Sequence, residues 1–126
     1  MSSLYIITGP AGVGKSTISR RIAESKNKSA LIEGDEIYHQ VVGGYVQAWK
    51  EGNHLDTFWK ICLSSIETYL EDGYDVIFNY IVSPENVELI KNKLKNHTIK
   101  FIVLVVDEKS LLLRDKERPE DCQLKE

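Results

Sequence analysis

The chain has 126 residues, with 16 Lys and Arg against 19 Asp and Glu and a net charge of −3; that length suits one domain with a real core and falls short of two. No basic block stands out, so neither nucleic acid nor a membrane surface is indicated as a partner. Cys62 and Cys122 are far apart and match no metal-ligand spacing; with no cleavable leader ahead of Leu4 and a longest apolar run, Phe101 to Val106, of only about a third of a membrane span, a soluble protein of the reducing cytoplasm is expected.

Leu4-Tyr5-Ile6-Ile7-Thr8 reads as a first strand. Directly after it, Gly9 to Thr17 fill the phosphate-loop pattern G-x-x-x-x-G-K-[ST], and Ile18, Ile22 and Ala23 give a helix starting near Gly14 an apolar face, the context the motif requires. Gly9, Gly12 and Gly14 let the backbone turn so that its N–H groups point inward, and such a nest at a helix N-terminus attracts phosphate oxygens. The whole stretch, Ala11 and Val13 included, is expected to hold the triphosphate of ATP. Lys15 would reach the β- and γ-phosphates, Ser16 would give its hydroxyl to Mg²⁺, and Thr17 would donate to the α-phosphate.

Ala30-Leu31-Ile32 reads as a second strand ended by Gly34 and Asp35. Ile37 and Val41 share a helical face, Gly43-Gly44 interrupts it, and Tyr45, Val46 and Trp49 resume it before Gly52, which predicts two short helices with a hinge. Leu55 to Leu70 keeps the helical period, with Gly73 placed to stop it in the left-handed conformation. Tyr74 to Val82 reads as a buried strand around Val76-Ile77-Phe78. Ser83-Pro84 opens a helix whose buried stripe is Val87, Ile90 and Leu94. Ile99 to Val106 is the fourth strand, and a last segment from about Ser110 turns strongly charged around Pro119. Strands alternating with helices predict an α/β domain, a parallel sheet in three layers with helices on both faces. Ligands then gather at the carboxyl ends of the strands, which brings Gly9–Ser16, Asp35, the region Asn79 to Ser83 and Asp107 to one rim.

Three stretches, Gly9–Thr17, Ile32-Glu33-Gly34-Asp35 and Leu113-Arg114-Asp115-Lys116-Glu117-Arg118-Pro119, resemble the small phosphate-loop kinases, the group of gluconate kinase, shikimate kinase, chloramphenicol phosphotransferase and polynucleotide kinase. The resemblance implies the P-loop nucleoside-triphosphate hydrolase fold in a single domain, and an ATP- and Mg²⁺-dependent phosphotransferase acting on a small hydroxyl-bearing acceptor. It implies that Asp35 faces the acceptor hydroxyl, and that a lid beginning near residue 110 brings Arg114 and Arg118 over the triphosphate. Such kinases continue into a fifth strand and a final helix, so this chain is expected to hold four of the five strands and to stop within the lid.

Other readings of the same residues stand beside these. Asp35 could cap a helix beginning near Glu36, and Arg114 with Arg118 could form a surface ion-pair face. Glu33 and Glu36 are expected to be solvated, with Glu36 a candidate to stand behind the metal's own ligands. His39, one turn after Asp35, could touch substrate; Tyr45, Trp49 and Trp59 could wall an acceptor pocket or belong to the core. The acidic partner of the metal is open, since the third strand ends in Asn79. Asp107 and Glu108, following the fourth strand's apolar run, suit a P-loop ATPase in which Asp107 serves the metal and Glu108 polarises water; a nucleotide-binding module without turnover is the third alternative. Between Glu36 and Leu70 the cations are Lys50 and Lys60, with no arginine, which favours a neutral or weakly charged acceptor. Tyr38 stands where a polynucleotide kinase would use an arginine.

Overall fold

In the computed structural model, which describes residues 2–10 and 14–105, the chain runs β1 (Ser3–Thr8), α1 (Lys15–Glu24), β2 (Ser29–Glu33), α2 (Gly34–Tyr38), α3 (His54–Glu71), β3 (Asp75–Asn79), α4 (Pro84–Lys93) and β4 (Thr98–Val103). The strands lie in the order β2-β3-β1-β4, each neighbouring pair parallel. Parallel neighbours cannot be joined by a hairpin, so each connection crosses a face of the sheet and carries a helix.

Strand alternation decides what each face buries. Ile32, Phe78, Ile6 and Phe101 fall in one cross-strand row and Ala30, Val76, Leu4 and Ile99 in the next. This face packs on Trp59, Cys62, Ile66 and Leu70 of α3 and on Ile90 and Leu94 at α4, which makes the larger core. The opposite face sends Leu31, Ile77, Tyr5 and Ile7 towards Ile22 and Ala23 of α1. Val76, Ile77 and Phe78 are all fully buried because β3 is covered on both faces, and that explains its unbroken apolar run.

The helix ends follow local chemistry. Asn86 N–H donates to Ser83 Oγ at 3.2 Å and Ser83 N–H donates to Asn86 Oδ1 at 2.9 Å, a capping box ahead of Pro84. At the far end of α3, Gly73 has φ +88, Tyr74 N–H donates to the Tyr69 carbonyl and Gly73 N–H to the Leu70 carbonyl, the paired bonds of a left-handed helix stop.

Several sequence expectations shift. Residues 39–53 hold no helix, so the second of the two short helices is absent and the first stops at Tyr38. Two adjacent glycines cost about 1 kcal/mol each against alanine in a helix, and Gly44 and Gly52 take φ +76 and +145. Strand β3 stops at Asn79 rather than Val82 because pairing with β1 runs out: Tyr80 N–H donates to the Ile7 carbonyl, and Val82 N–H turns to the Thr8 hydroxyl. Strand β4 likewise ends at Val103. Among the described residues no helix is long and apolar enough to cross a membrane.

Candidate active site

The carboxyl ends of β1, β2 and β3 bring the phosphate loop, Glu33 and Asn79 to one rim. Gly9, at φ +151, passes so close to β4 that a Cβ there would lie 2.6 Å from the Leu104 carbonyl oxygen; only glycine fits. Gly14, at φ +91, is the N-cap of α1, whose first turn has neither a side-chain cap nor an acidic residue. A helix start without an acidic side chain keeps its positive end for an anion. Lys15 Nζ arches back along the loop, donating to the Gly9 carbonyl at 2.9 Å and the Pro10 carbonyl at 3.2 Å. Thr17 is exposed on the first turn of α1. Ala11, Gly12 and Val13 lie outside the described residues, as do Asp107, Glu108, Arg114, Arg118 and the lid from residue 110.

Ser16, Glu33 and Asn79 form a triangle. Asn79 Nδ2 donates to Glu33 Oε2 at 2.8 Å and to Ser16 Oγ at 3.3 Å, while Ser16 Oγ–H donates to Glu33 Oε2 at 3.4 Å. Alternation produces this: Glu33 and Asn79 are paired residues, two positions beyond Leu31 and Ile77, and so fall on the α1 face where Ser16 begins the helix. Asn79 is 5 % exposed, so its amide is held without freedom to turn. Glu33, expected to be solvated, is half-buried and bonded to Ser16 and Asn79, whereas Glu36 is exposed. One hydroxyl and one carboxylate oxygen at a helix N-terminus fit the oxygen-only ligand set of Mg²⁺, which retains waters and phosphate oxygens for its other positions. Among the described residues there is no cluster of three His, Cys, Asp or Glu that could hold a metal by itself.

Around the next turn the chain changes face. Asp35 is exposed in the first turn of α2, and because that helix starts at Gly34 with Glu33 as its N-cap, Asp35 is not the cap. Tyr80 lies over this junction: a Cβ on Gly34 would fall 2.5 Å from Tyr80 Cδ1. Its ring packs against Phe58 at 5.0 Å and Trp59 at 5.7 Å. Burial first, then the Asp35 carboxylate, push the Tyr80 phenol up to about 12, which places Tyr80 in the electrostatic field of Asp35. His39 donates from Nδ1 to the Asp35 carbonyl oxygen at 2.7 Å and stacks on Tyr45 at 5.7 Å; its contact is with the Asp35 backbone. Tyr38 is buried, its hydroxyl donating to the Val46 carbonyl. Of the three aromatic candidates, Trp59 belongs to the core and Trp49 is 81 % exposed, while Tyr45 lines a cavity beside α2 and α3.

Sequence reading missed Glu33 and Tyr80. Counting by twos from Leu31 and Ile77 places Glu33 beside Asn79, but only once β2 and β3 are known to be neighbours. Tyr80 carries no motif and enters through its fit to Gly34.

Comparison with known proteins agrees with this geometry. An AAA domain family model, AAA_18, matches residues 6–126, and the chain belongs to that family of P-loop domains. No curated protein matches the sequence. Among solved structures the fold is shared with a chain of the Pnkp1/Rnl/Hen1 RNA repair complex at TM-score 0.77 and 19 % identity, over 98 % of this chain and 39 % of that one. It is also shared with a sugar kinase from Janibacter sp. HTCC2649 at TM-score 0.70 and 12 % identity, over 94 % and 69 % of the two chains. A gluconokinase from Sinorhizobium meliloti 1021 matches at TM-score 0.61 and 20 % identity, over 93 % and 65 %. The chain thus spans about two-fifths of the repair-complex protein's length and has the fold of P-loop kinases.

Proposed function

We propose that this P-loop domain is an ATP- and Mg²⁺-dependent phosphotransferase that moves the γ-phosphate to a hydroxyl of a small acceptor. The observation that carries the reading is the Ser16–Asn79–Glu33 triangle at the start of α1, with Asp35 two residues further along the same turn. Phosphoryl transfer passes through a loose transition state, so positioning and charge do most of the work. The backbone from Gly9 to Thr17 would bind the triphosphate, and Lys15 would balance charge on the transferring group. Ser16 and Glu33 would hold Mg²⁺, with Asn79 fixing the carboxylate's orientation; the ion, when bound, neutralises phosphate charge. Asp35 would accept a hydrogen bond from the acceptor hydroxyl and take its proton as the new O–P bond forms and the bond from the γ-phosphorus to the β,γ-bridging oxygen breaks. Arg114 and Arg118 are proposed as lid arginines on the sequence resemblance.

The test is transfer of label from [γ-³²P]ATP to a panel of sugars, polyols, nucleosides and aminoglycosides. Asp35→Asn should abolish transfer and spare ATP binding; Lys15→Ala should lower turnover of ATP itself. Hydrolysis that no acceptor alters, with Asp35→Asn fully active, would replace this reading with the ATPase.

A further inference from the structure

The chain carries six tyrosines, and at one of them a lysine holds the phenol oxygen. Tyr5 lies in the middle of β1, half-buried and packed against Ile7, Ala23 and Ile77 on the α1 face of the sheet. Lys26 Nζ donates to the Tyr5 hydroxyl at 3.2 Å and stands 4.5 Å from the ring centroid, and Lys100 Nζ stands 5.2 Å from the same centroid. The cluster lies away from the rim: Tyr5 is four residues before Gly9, about 13 Å of extended strand.

The fold puts both lysines there. Lys100 of β4 is the cross-strand partner of Tyr5, and neighbouring strands lie about 4.8 Å apart, so the two side chains leave the same face side by side. Lys26 follows the end of α1, where its N–H donates to the Ala23 carbonyl at 3.2 Å. Among the described residues neither ammonium has a carboxylate partner. Two like charges gathered on one phenol repel each other, and a negative charge on the phenol oxygen relieves both.

Hydrogen bonding and charge thus favour the phenolate. The bond from Lys26 is the largest influence on this phenol and holds it below the ordinary 10.0; burial opposes the bond, and the charges of Lys26 and Lys100 reinforce it. The other tyrosines lack such an arrangement. Lys28 sits 4.3 Å over the Tyr74 ring but donates to the Asp72 carbonyl, not to the phenol. Tyr38 gives its hydroxyl to the Val46 carbonyl, and burial raises both Tyr38 and Tyr80. Tyr45 meets the His39 imidazole at 3.5 Å, and Tyr69 packs edge-on against Tyr74.

We propose that Tyr5 is the nucleophilic tyrosine of this chain, a site of covalent modification by small sulfonyl or acyl electrophiles, with Lys26 and Lys100 holding the phenolate that attacks. The phenol gives its proton to water, and its oxygen forms a bond to the sulfur or carbonyl carbon. The leaving group departs with the electron pair of the bond that breaks, and Lys26 keeps its own proton throughout. This chemistry is independent of the proposed phosphotransfer.

Benzenesulfonyl fluoride is the probe, its sulfur bonding to the Tyr5 oxygen as fluoride leaves. The folded protein is labelled at neutral pH, and label on each tyrosine is followed over time by peptide mass spectrometry. Tyr5 is expected to gain label about fivefold faster than Tyr45, Tyr69 and Tyr74, because an adjacent cation favours the reacting phenolate. Urea should erase the preference, since unfolding parts the lysines from the ring. Lys26→Met should bring Tyr5 down to the rate of the other tyrosines, whereas Lys26→Arg, which keeps the charge, should retain most of the preference. Lys100→Met, at an exposed position, should lower the rate by a smaller factor, and Lys28→Met should leave it unchanged. Label spread evenly over the tyrosines of the folded protein, or carried on Lys26 in place of Tyr5, would overturn the proposal. So would a Tyr5 rate that neither Lys26→Met nor Lys100→Met lowers, or one that Lys28→Met lowers equally.

Discussion

Gly34→Ala adds one methyl group at the point where β2 turns into α2, and the structure leaves no room for it. The new Cβ would lie 2.5, 2.8 and 2.9 Å from Cδ1, Cγ and Cβ of Tyr80. Ordinary carbon contacts begin near 3.5 Å, so something must move by about 1 Å. Tyr80 is poorly able to yield: its own Cβ is among the clashing atoms, and its ring is packed by Phe58, Trp59 and Phe78 at 5.0, 5.7 and 6.1 Å. The alternative is a shift of the β2 end, where Glu33 pairs with Asn79. Overpacking of this kind costs about 1–3 kcal/mol, which for a domain of this size lowers the melting temperature by roughly 3–6 °C per kcal/mol. Because Glu33 and Asp35 flank the glycine, phosphotransfer should fall together with stability. Gly43→Ala is the control: a Cβ there meets nothing within 4 Å, and removing a glycine from an open loop should be neutral or stabilise by a few tenths of a kcal/mol. Thermal melts followed by circular dichroism, paired with the label-transfer assay, measure both. A Gly34→Ala protein melting within about 1 °C of the parent, with full transfer, would refute the steric reasoning.

Glu33→Gln should raise the Mg²⁺ concentration needed for half-maximal turnover by about 10–100-fold, the range seen when a group supporting a metal is lost, while Glu36→Gln leaves it unchanged; equal effects in a Mg²⁺ titration would discard the assignment. Ser83→Ala removes one half of the capping box on α4 and should cost about 1 kcal/mol in urea denaturation, with no change in transfer because the Ser83 hydroxyl accepts from Asn86 N–H within α4 and takes no part in the Ser16–Asn79–Glu33 triangle. Alkaline stability follows from two groups that burial holds neutral: Cys62, raised from 9.0 to about 12, and Tyr80, raised from 10.0 to about 12. A pKa raised on folding favours the neutral form, so their contribution is whole below about pH 9 and is lost as pH climbs towards 12. Denaturation midpoints should fall over that window, and Tyr80→Phe should flatten the upper part of the fall; an unchanged slope in Tyr80→Phe would show that its phenol does not titrate with unfolding.

Much of the fold was legible because its signals are local. The phosphate-loop motif names its own strand and helix, Ser83-Pro84 announces a helix start, and Gly73 announces a stop. Residues 39–53 defeated the same method, since the apolar spacing of Tyr45, Val46 and Trp49 mimics a helical face while Gly43, Gly44 and Gly52 break the backbone that would carry it. Trp49, assigned there to a pocket wall or the core, is largely exposed. The candidate site was legible where the phosphate-loop motif marks it, at Gly9, Lys15 and Ser16, and silent where partnership depends on strand order; Asp35 enters on the resemblance alone. Glu33 looks like any polar residue at a strand end until β3 is known to lie between β2 and β1. Then its parity with Asn79 and its facing towards Ser16 follow without further information.

That parity also gives a reason for an asparagine at the end of β3, where phosphate-loop proteins commonly carry an aspartate. Glu33 already brings a carboxylate to within 2.8 Å of the Asn79 side chain. An aspartate at 79 would set two carboxylates at that distance in a buried position, and like charges so close disfavour ionisation of both. An amide of the same shape donates to the Glu33 carboxylate and to the Ser16 hydroxyl instead. In this chain the carboxylate of the triangle stands on β2, and the residue at the end of β3 is an amide that clamps it. The next residue turns to the other face of the sheet, where Tyr80 covers Gly34 beside Asp35. One strand end thus reaches both faces: Asn79 bonds Glu33 and Ser16 at the start of α1, where the proposed reaction would hold phosphate and metal, and Tyr80 packs on Gly34 beside Asp35, where it would place the acceptor.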